Sequence, residues 1–224
     1  MKKKTSDIVK YLSNFVTEKR LERFNEVLNQ RTNYLTIVLE DIYQSHNANA
    51  VLRSCDCFGI QNIHIIENRN EYQINPDVSL GASQWLNLNF YNQKENNTIC
   101  TINKLRQDGY RIVATTPHTN DVKLENFDIS RGKFALFFGS ELPGLSNIVM
   151  ENADEFLKIP MYGFTESFNI SVSAAICLHY LRLKLNNSDI KYQLNDNEKT
   201  DIMFKWLMQS IKSSEQILKT FLEK

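Results

Sequence analysis

The chain is poor in glycine, with seven among 224 residues, and has only four prolines. Places where these residues gather are therefore informative. Its four cysteines (Cys55, Cys57, Cys100, Cys177) contain no CxxC pair, and its four histidines (His46, His64, His118, His179) no HExxH or other ligand spacing. Neither a disulfide framework nor a structural zinc is expected, and no metal is called for. No apolar run approaches the ~18 residues needed to cross a bilayer, and the MKKKTSD start has no apolar stretch behind it. We expect a cytosolic protein. Formal net charge is zero, which argues against a general nucleic-acid coat. A Walker sequence and GxGxxG are both missing, as are internal repeats.

What is present describes a soluble globular chain, 42% hydrophobic and 23% charged, long enough for one ordinary domain with additions at its ends. The charge is unevenly spread. Residues 1–32 carry eight basic groups against four acidic ones, so this segment is +4 and the remainder −4. A solvated helix is the simpler reading of that segment, although a small basic arm can also hold a phosphate backbone.

Apolar side chains at Ile8, Tyr11, Leu12 and Phe15, then at Leu21, Phe24, Val27 and Leu28, recur at helical steps over 6–30. Thr17 is placed to cap the second piece. From residue 36 short apolar runs alternate with helical stretches. Strands are expected at 36–42, 62–67, 85–91, 111–116, 134–139 and 156–161. Helices are expected at 47–58 (closed by Gly59), 97–108 (ended by Gly109), 145–152 and 169–185. An irregular stretch with Pro76 and Gly81 runs to about residue 84. After an Asn-rich segment (186–197) one final amphipathic helix is expected. Alternation of this kind specifies an α/β fold, a mostly parallel sheet with helices on both faces, whose ligands bind at the carboxyl ends of the strands.

Three strand ends look chemical. In HNANAVLRSCDCFG (46–59), Asn47 stands where a helix cap belongs; with 25 asparagines in the chain, capping is its ordinary role. Arg53 lies about 200° round the helix from Val51 and points away from the apolar face, as a solvated arginine or a phosphate contact would. In FALFFGSELPGLS (134–146) a strand ends at Gly139, and Glu141, Pro143 and Gly144 follow before a helix. A carboxylate between apolar neighbours is costly unless bonded or paired, and glycines permit close approach of backbone to a ligand. In KIPMYGFTESFNISVSAA (158–175) a loop through Pro160 and Gly163 leads to Ser167 and Asn169, either of which can cap the next helix. Three of the seven glycines and two of the four prolines fall between 139 and 163. That crowding marks a ligand loop without naming the ligand.

Together the three blocks resemble the SPOUT superfamily of RNA methyltransferases, in its TrmH-like branch that methylates ribose 2′-hydroxyls. The first motif is an asparagine with an arginine six residues on (Asn47, Arg53). The second, FGxExxGxS, matches Phe138, Gly139, Glu141, Gly144 and Ser146. The third, IPMxGxxxSLNVSV, matches Ile159, Pro160, Met161, Gly163, Ser167, Asn169, Ser171 and Val172, with Phe168 and Ile170 as conservative departures. The resemblance covers roughly residues 21–185. It implies S-adenosyl-L-methionine bound in a deep trefoil knot within about 111–186, with Thr115, Gly139, Gly144, Ile159, Met161 and Phe168 as cofactor contacts, largely through backbone.

The resemblance further implies that Gly139 and Gly144 let the chain pass close to the cofactor, that Glu141 holds Asn47, and that Ser167 and Asn169 hold Arg53 or the target nucleotide. It places the catalytic role on Arg53, with Asn47, Glu141, Ser167 and Asn169 around it. A guanidinium accepts a proton only if burial and neighbours lower its pKa by several units; otherwise it orients phosphate and stabilises the developing alkoxide, the role we favour. The implied layout is a basic helical extension (1–33), the methyltransferase domain (34–186) and a second helical extension (187–224), assembled as a homodimer. Residues 20–54 are similar to the tRNA enzymes that modify guanosine 18 of the D-loop. The rivals are the same chemistry on ribosomal RNA or another tRNA ribose, and an RNA-binding or assembly protein of this fold that does not catalyse.

Overall fold

The structure, a computed structural model, describes residues 5–70, 81–93, 95–117 and 122–223. It divides into two compact units. One comprises Met1–Thr32 with Gln193–Lys224, the other Asn33–Tyr192.

The larger unit is built on a seven-stranded sheet. Its strands are β1 (Leu35–Glu40), β2 (Asn62–Ile66), β3 (Asn87–Tyr91), β4 (Arg111–Thr115), β5 (Val122–Lys123), β6 (Phe134–Phe138) and β7 (Glu155–Lys158), of which β1 and β6 are buried at every residue. Their order is β3-β2-β1-β6-β4-β7-β5, and every pairing is parallel. Parallel strands need crossovers and are covered on both faces, so β6 reads as an unbroken apolar run and β1 as a mostly apolar one.

The alternation along each strand divides the core in two. Leu35, Ile37 and Leu39 of β1 and Phe134, Leu136 and Phe138 of β6 pack with Ala48, Val51, Leu52 and Cys55 of α3 (Ser45–Cys57). The same cluster takes Ala174, Cys177, Leu178, Leu181 and Leu185 from a helix spanning Ile170–Asn186. Val38, Ala135 and Phe137 face the other way. They pack with Ile102 and Leu105 of α4 (Asn97–Gln107) and Val149 of α5 (Asn147–Asn152). The Ile170–Asn186 helix is α6. Gly59 and Gly109 follow α3 and α4 with φ of 74° and 83°, the left-handed geometry that closes helices.

In the smaller unit α1 (Thr5–Leu12) and α2 (Glu18–Gln30) pack with α7 (Asp196–Ser210) and α8 (Ser214–Leu222). Thr17 caps α2 as expected, its hydroxyl accepting from the Arg20 amide. Tyr11 stacks on Phe221 at 4.4 Å, and Phe24 lies 5.5 Å from Trp206. Two sequence expectations change here. The final helix is two, broken at Ile211 and restarted at Ser213, which adopts φ 59°. The strand Val122–Lys123 was not foreseen, being two residues long and exposed. Part of the irregular region expected before residue 84, including Pro76, lies outside the described residues.

Candidate active site

All seven strands run the same way, so the loops after β4, β6 and β7 leave one edge of the sheet. A cavity of ≈450 Å³ opens there, within the size range of a small-molecule site. Thr115, Gly139, Gly144, Ile159, Met161 and Phe168 all line it, together with Glu141 and Ser167. The chain therefore gathers each residue that the sequence assigned to cofactor contact. Thr115 is held by its own hydroxyl, which donates to the Phe137 carbonyl at 2.7 Å.

Gly139 also meets a steric demand within the loop itself. A Cβ on Gly139 would collide with the carbonyl group of Gly144 and the amide of Leu145. This close approach is of the loop to itself, backbone on backbone, and it folds residues 139–145 into the cavity wall. Gly144 has φ 89°, a conformation side chains rarely adopt.

Beside the cavity, three polar side chains from separate elements meet. The Asn47 amide donates to Glu141 Oε1 at 3.0 Å, and the Asn169 amide donates to the same oxygen at 2.9 Å. Asn169 Nδ2 also donates to Asn47 Oδ1 at 3.1 Å, closing the triangle. The amide of Asn47 makes a second bond, to Gln44 Oε1 at 3.1 Å. Asn169 Oδ1 accepts from the amide and hydroxyl of Ser171 at 2.9 and 2.7 Å and so caps α6. Glu141 is exposed, yet its carboxylate ties α3 to the start of α6.

Asn47 is not the cap of α3. The helix begins at Ser45 after Gln44, and Asn47 sits inside its first turn, 4% exposed. A capping residue would have bonded its own helix; this one is turned to the loop instead. Arg53 is exposed on α3, as the helical spacing indicated, and has no hydrogen bond or ion pair among the described residues. It does not line the cavity. Neither Ser167 nor Asn169 is hydrogen-bonded to it.

Sequence reasoning passed over Glu40, which is 2% exposed at the end of β1. It also passed over Glu166 and Cys177, which line the cavity. Burial drives the Cys177 thiol up to about 12, so it stays a neutral apolar group there. Among the described residues the lining holds two carboxylates, Glu141 and Glu166, and no lysine, arginine or histidine. Such a wall disfavours a polyphosphate and suits a ligand with positive charge.

Comparison with known proteins agrees with this geometry. A model of the SpoU rRNA methylase family matches residues 34–179. The tRNA (guanosine(18)-2′-O)-methyltransferase of Borreliella burgdorferi is 48% identical over 202 residues, 90% of each chain. The crystal structure of the Aquifex aeolicus TrmH/SpoU tRNA modifying enzyme superposes with a TM-score of 0.76 at 27% identity, over 88% of this chain and 98% of that one. AviRb, a SpoU methyltransferase from Streptomyces viridochromogenes solved with its cofactor AdoMet, shares the fold. Its TM-score is 0.59 at 20% identity, over 73% of this chain and 62% of that one. With its three sequence blocks brought to one edge of a parallel sheet and a family match across that whole sheet, the chain belongs to the SpoU rRNA methylase family.

Proposed function

We propose that this protein methylates a ribose 2′-hydroxyl in tRNA, at guanosine 18, with S-adenosyl-L-methionine as the methyl donor. The observation that carries the reading is the cavity with Asn47, Glu141 and Asn169 locked together at its rim, in a chain that matches a guanosine-18 enzyme over nine-tenths of its length. The donor fits the site on two counts. The volume is adequate, and the only charges on the wall among the described residues are carboxylates, which favour the cationic form of the cofactor over neutral or anionic nucleotides.

The bound cofactor supplies an electrophilic methyl on a sulfonium, and the protein's task is to place and activate the hydroxyl. The Asn47–Glu141–Asn169 triangle fixes the start of α3 against the loop that walls the cavity, and so positions Arg53 one turn and a half further along α3. Exposed and unpaired among the described residues, Arg53 is available to a phosphate and to the oxygen that gains negative charge as its proton leaves to solvent. Ser167, in the lining, shapes the entrance for the nucleotide. No metal enters this scheme.

The segment 111–186 is read as a deep trefoil knot. Support comes from β6 lying between β1 and β4, and from the 139–146 and 159–168 loops sharing one cavity. We read the domain limits as 1–33, 34–186 and 187–224, and the protein as a cytoplasmic homodimer. An apolar groove of ≈510 Å³ between Phe58, Leu124, Ile159, Tyr162, Ile176 and Tyr180 supports pairing of two copies. Among the described residues no helix is long and apolar enough to cross a membrane.

The deciding experiment is methyl transfer from labelled S-adenosylmethionine to unmodified tRNA transcripts, with and without a 2′-deoxy guanosine at position 18. Transfer that vanishes with that one oxygen supports the reading. Transfer that persists moves the target to another ribose. If no tRNA is methylated although cofactor binds, ribosomal RNA becomes the substrate to test, followed by a binding role without catalysis.

A further inference from the structure

Glu40 closes β1, and strand alternation turns its side chain to the face carrying Val38, α4 and α5. A carboxylate buried to this degree, 2% exposed, is tolerable only if its oxygens are occupied. They are. The Thr98 hydroxyl donates to Oε1 at 2.7 Å, the Ser146 hydroxyl to Oε1 at 2.7 Å, and the Ser146 amide to Oε2 at 2.8 Å.

Two of these three donors belong to one residue, and its place matters. Ser146 ends the 139–146 loop, directly after Gly144 and Leu145, both of which line the cavity. With its proton directed to Glu40, the Ser146 oxygen accepts from the Val149 amide at 3.3 Å and so starts α5. The loop is therefore held at one end by β6, at its waist by the contact of Gly139 with Gly144, and at the far end by Glu40. Thr98 sits on α4, outside the lining.

Resting on the reading of the cavity as the methyl-donor site, we propose that Glu40 is a positioning residue for the cofactor, clamping the 139–146 loop through Ser146. Glu40 lies outside the lining and acts at one remove. A carboxylate is needed because three donors converge on two oxygens; a glutamine would turn an amide N–H toward at least one of them.

The test is calorimetric titration of the full-length chain with S-adenosylmethionine and with S-adenosylhomocysteine, beside thermal unfolding, for Glu40→Gln, Ser146→Ala and Thr98→Val. Glu40→Gln and Ser146→Ala are expected to weaken both ligands by about tenfold to a hundredfold, the range for losing a hydrogen bond to a charged group. Their double variant is expected to fall short of the product of the two losses. Thr98→Val removes a partner of the same carboxylate and lowers the melting temperature, but leaves affinity within about twofold, since its donor is not on the loop. Affinity that simply tracks melting temperature across all three variants overturns the proposal. If Glu40→Gln does not fold, Ser146→Ala decides alone, and unchanged affinity there overturns it. A wild-type protein that binds neither ligand sinks the cofactor reading itself, a result distinct from failure of the clamp.

Discussion

His64 makes the protein sensitive to mild acid in a way that can be worked out in advance. It lies on β2, 7% exposed, with Nδ1 2.9 Å from the Tyr91 hydroxyl and the two rings stacked at 5.7 Å. Burial is the main force lowering its pKa from 6.5 to about 4; the Asp108 charge opposes this and Lys104 adds to it. Between those two values the unfolded chain binds a proton that the folded chain refuses. Stability must therefore rise with pH across this window, being complete above about 6.5 and lost as pH falls toward 4. The full difference is about 3 kcal/mol, and the part lost between pH 7 and pH 5 is about 2 kcal/mol. Urea unfolding of the wild type and of His64→Gln at both pH values measures it. Glutamine can still pair with the tyrosine hydroxyl but does not titrate, and the other three histidines cancel in the comparison. The wild type should lose about 2 kcal/mol more than the variant on going to pH 5. Equal losses would refute the assignment of a buried, neutral imidazole.

Gly139→Ala forces a methyl into the Gly144 carbonyl and the Leu145 amide, backbone that has little room to give. It should cost about 1–3 kcal/mol of stability and at least tenfold in cofactor affinity, whereas Gly163→Ala, with nothing within 4 Å of its added carbon, should change neither in thermal and calorimetric assays. Arg53→Ala should reduce methyl transfer by about a hundredfold or more while cofactor affinity stays within about twofold; calorimetry that shows an equal loss of binding contradicts the division of labour drawn here. Glu141→Ala removes the one oxygen that accepts from the amides of both Asn47 and Asn169, and should slow transfer by about tenfold to a hundredfold. Adding Asn169→Ala to it should cost little more, because the two residues share one oxygen; rates of the single and double variants in the transfer assay check this.

Much of the fold was legible because burial on both faces leaves an unmistakable trace in a parallel strand. FALFF is apolar throughout and LTIVLE is so apart from Thr36 and Glu40, and Gly59 and Gly109 mark the ends of the helices between strands. The break in the last helix was not legible, since Ser213 takes up a left-handed turn with no glycine or proline to announce it. The glycine and proline cluster between 139 and 163 marked the loops that wall the cavity, while the residues expected to touch the cofactor came from the motif resemblance and all line that cavity. The triangle joining Asn47, Glu141 and Asn169 spans 94 and 122 residues along the chain, and only the motif resemblance suggested any part of it. Local reasoning misassigned Asn47 as a cap for the same reason: sequence shows the helix start nearby but not the distant carboxylate that claims the side chain. Glu40 offered a signal that went unused, a single acid closing a mostly apolar strand, whose burial required partners elsewhere.

The division of the chain also bears on how it is made. The smaller unit draws on residues 1–32 and 193–224, with the whole of the sheet encoded between them. At a synthesis rate of about 5–20 residues per second, roughly 10–30 seconds separate the two halves of that unit as they leave the ribosome. The residues of the larger unit can condense during this interval, while Leu12, Phe24 and Leu28, each buried in the finished protein, still await Trp206, Leu207 and the rest of their partners. The nascent chain thus spends this interval with a basic, half-completed helical pair exposed. Chaperone contact, or premature association with RNA, is to be sought there during translation.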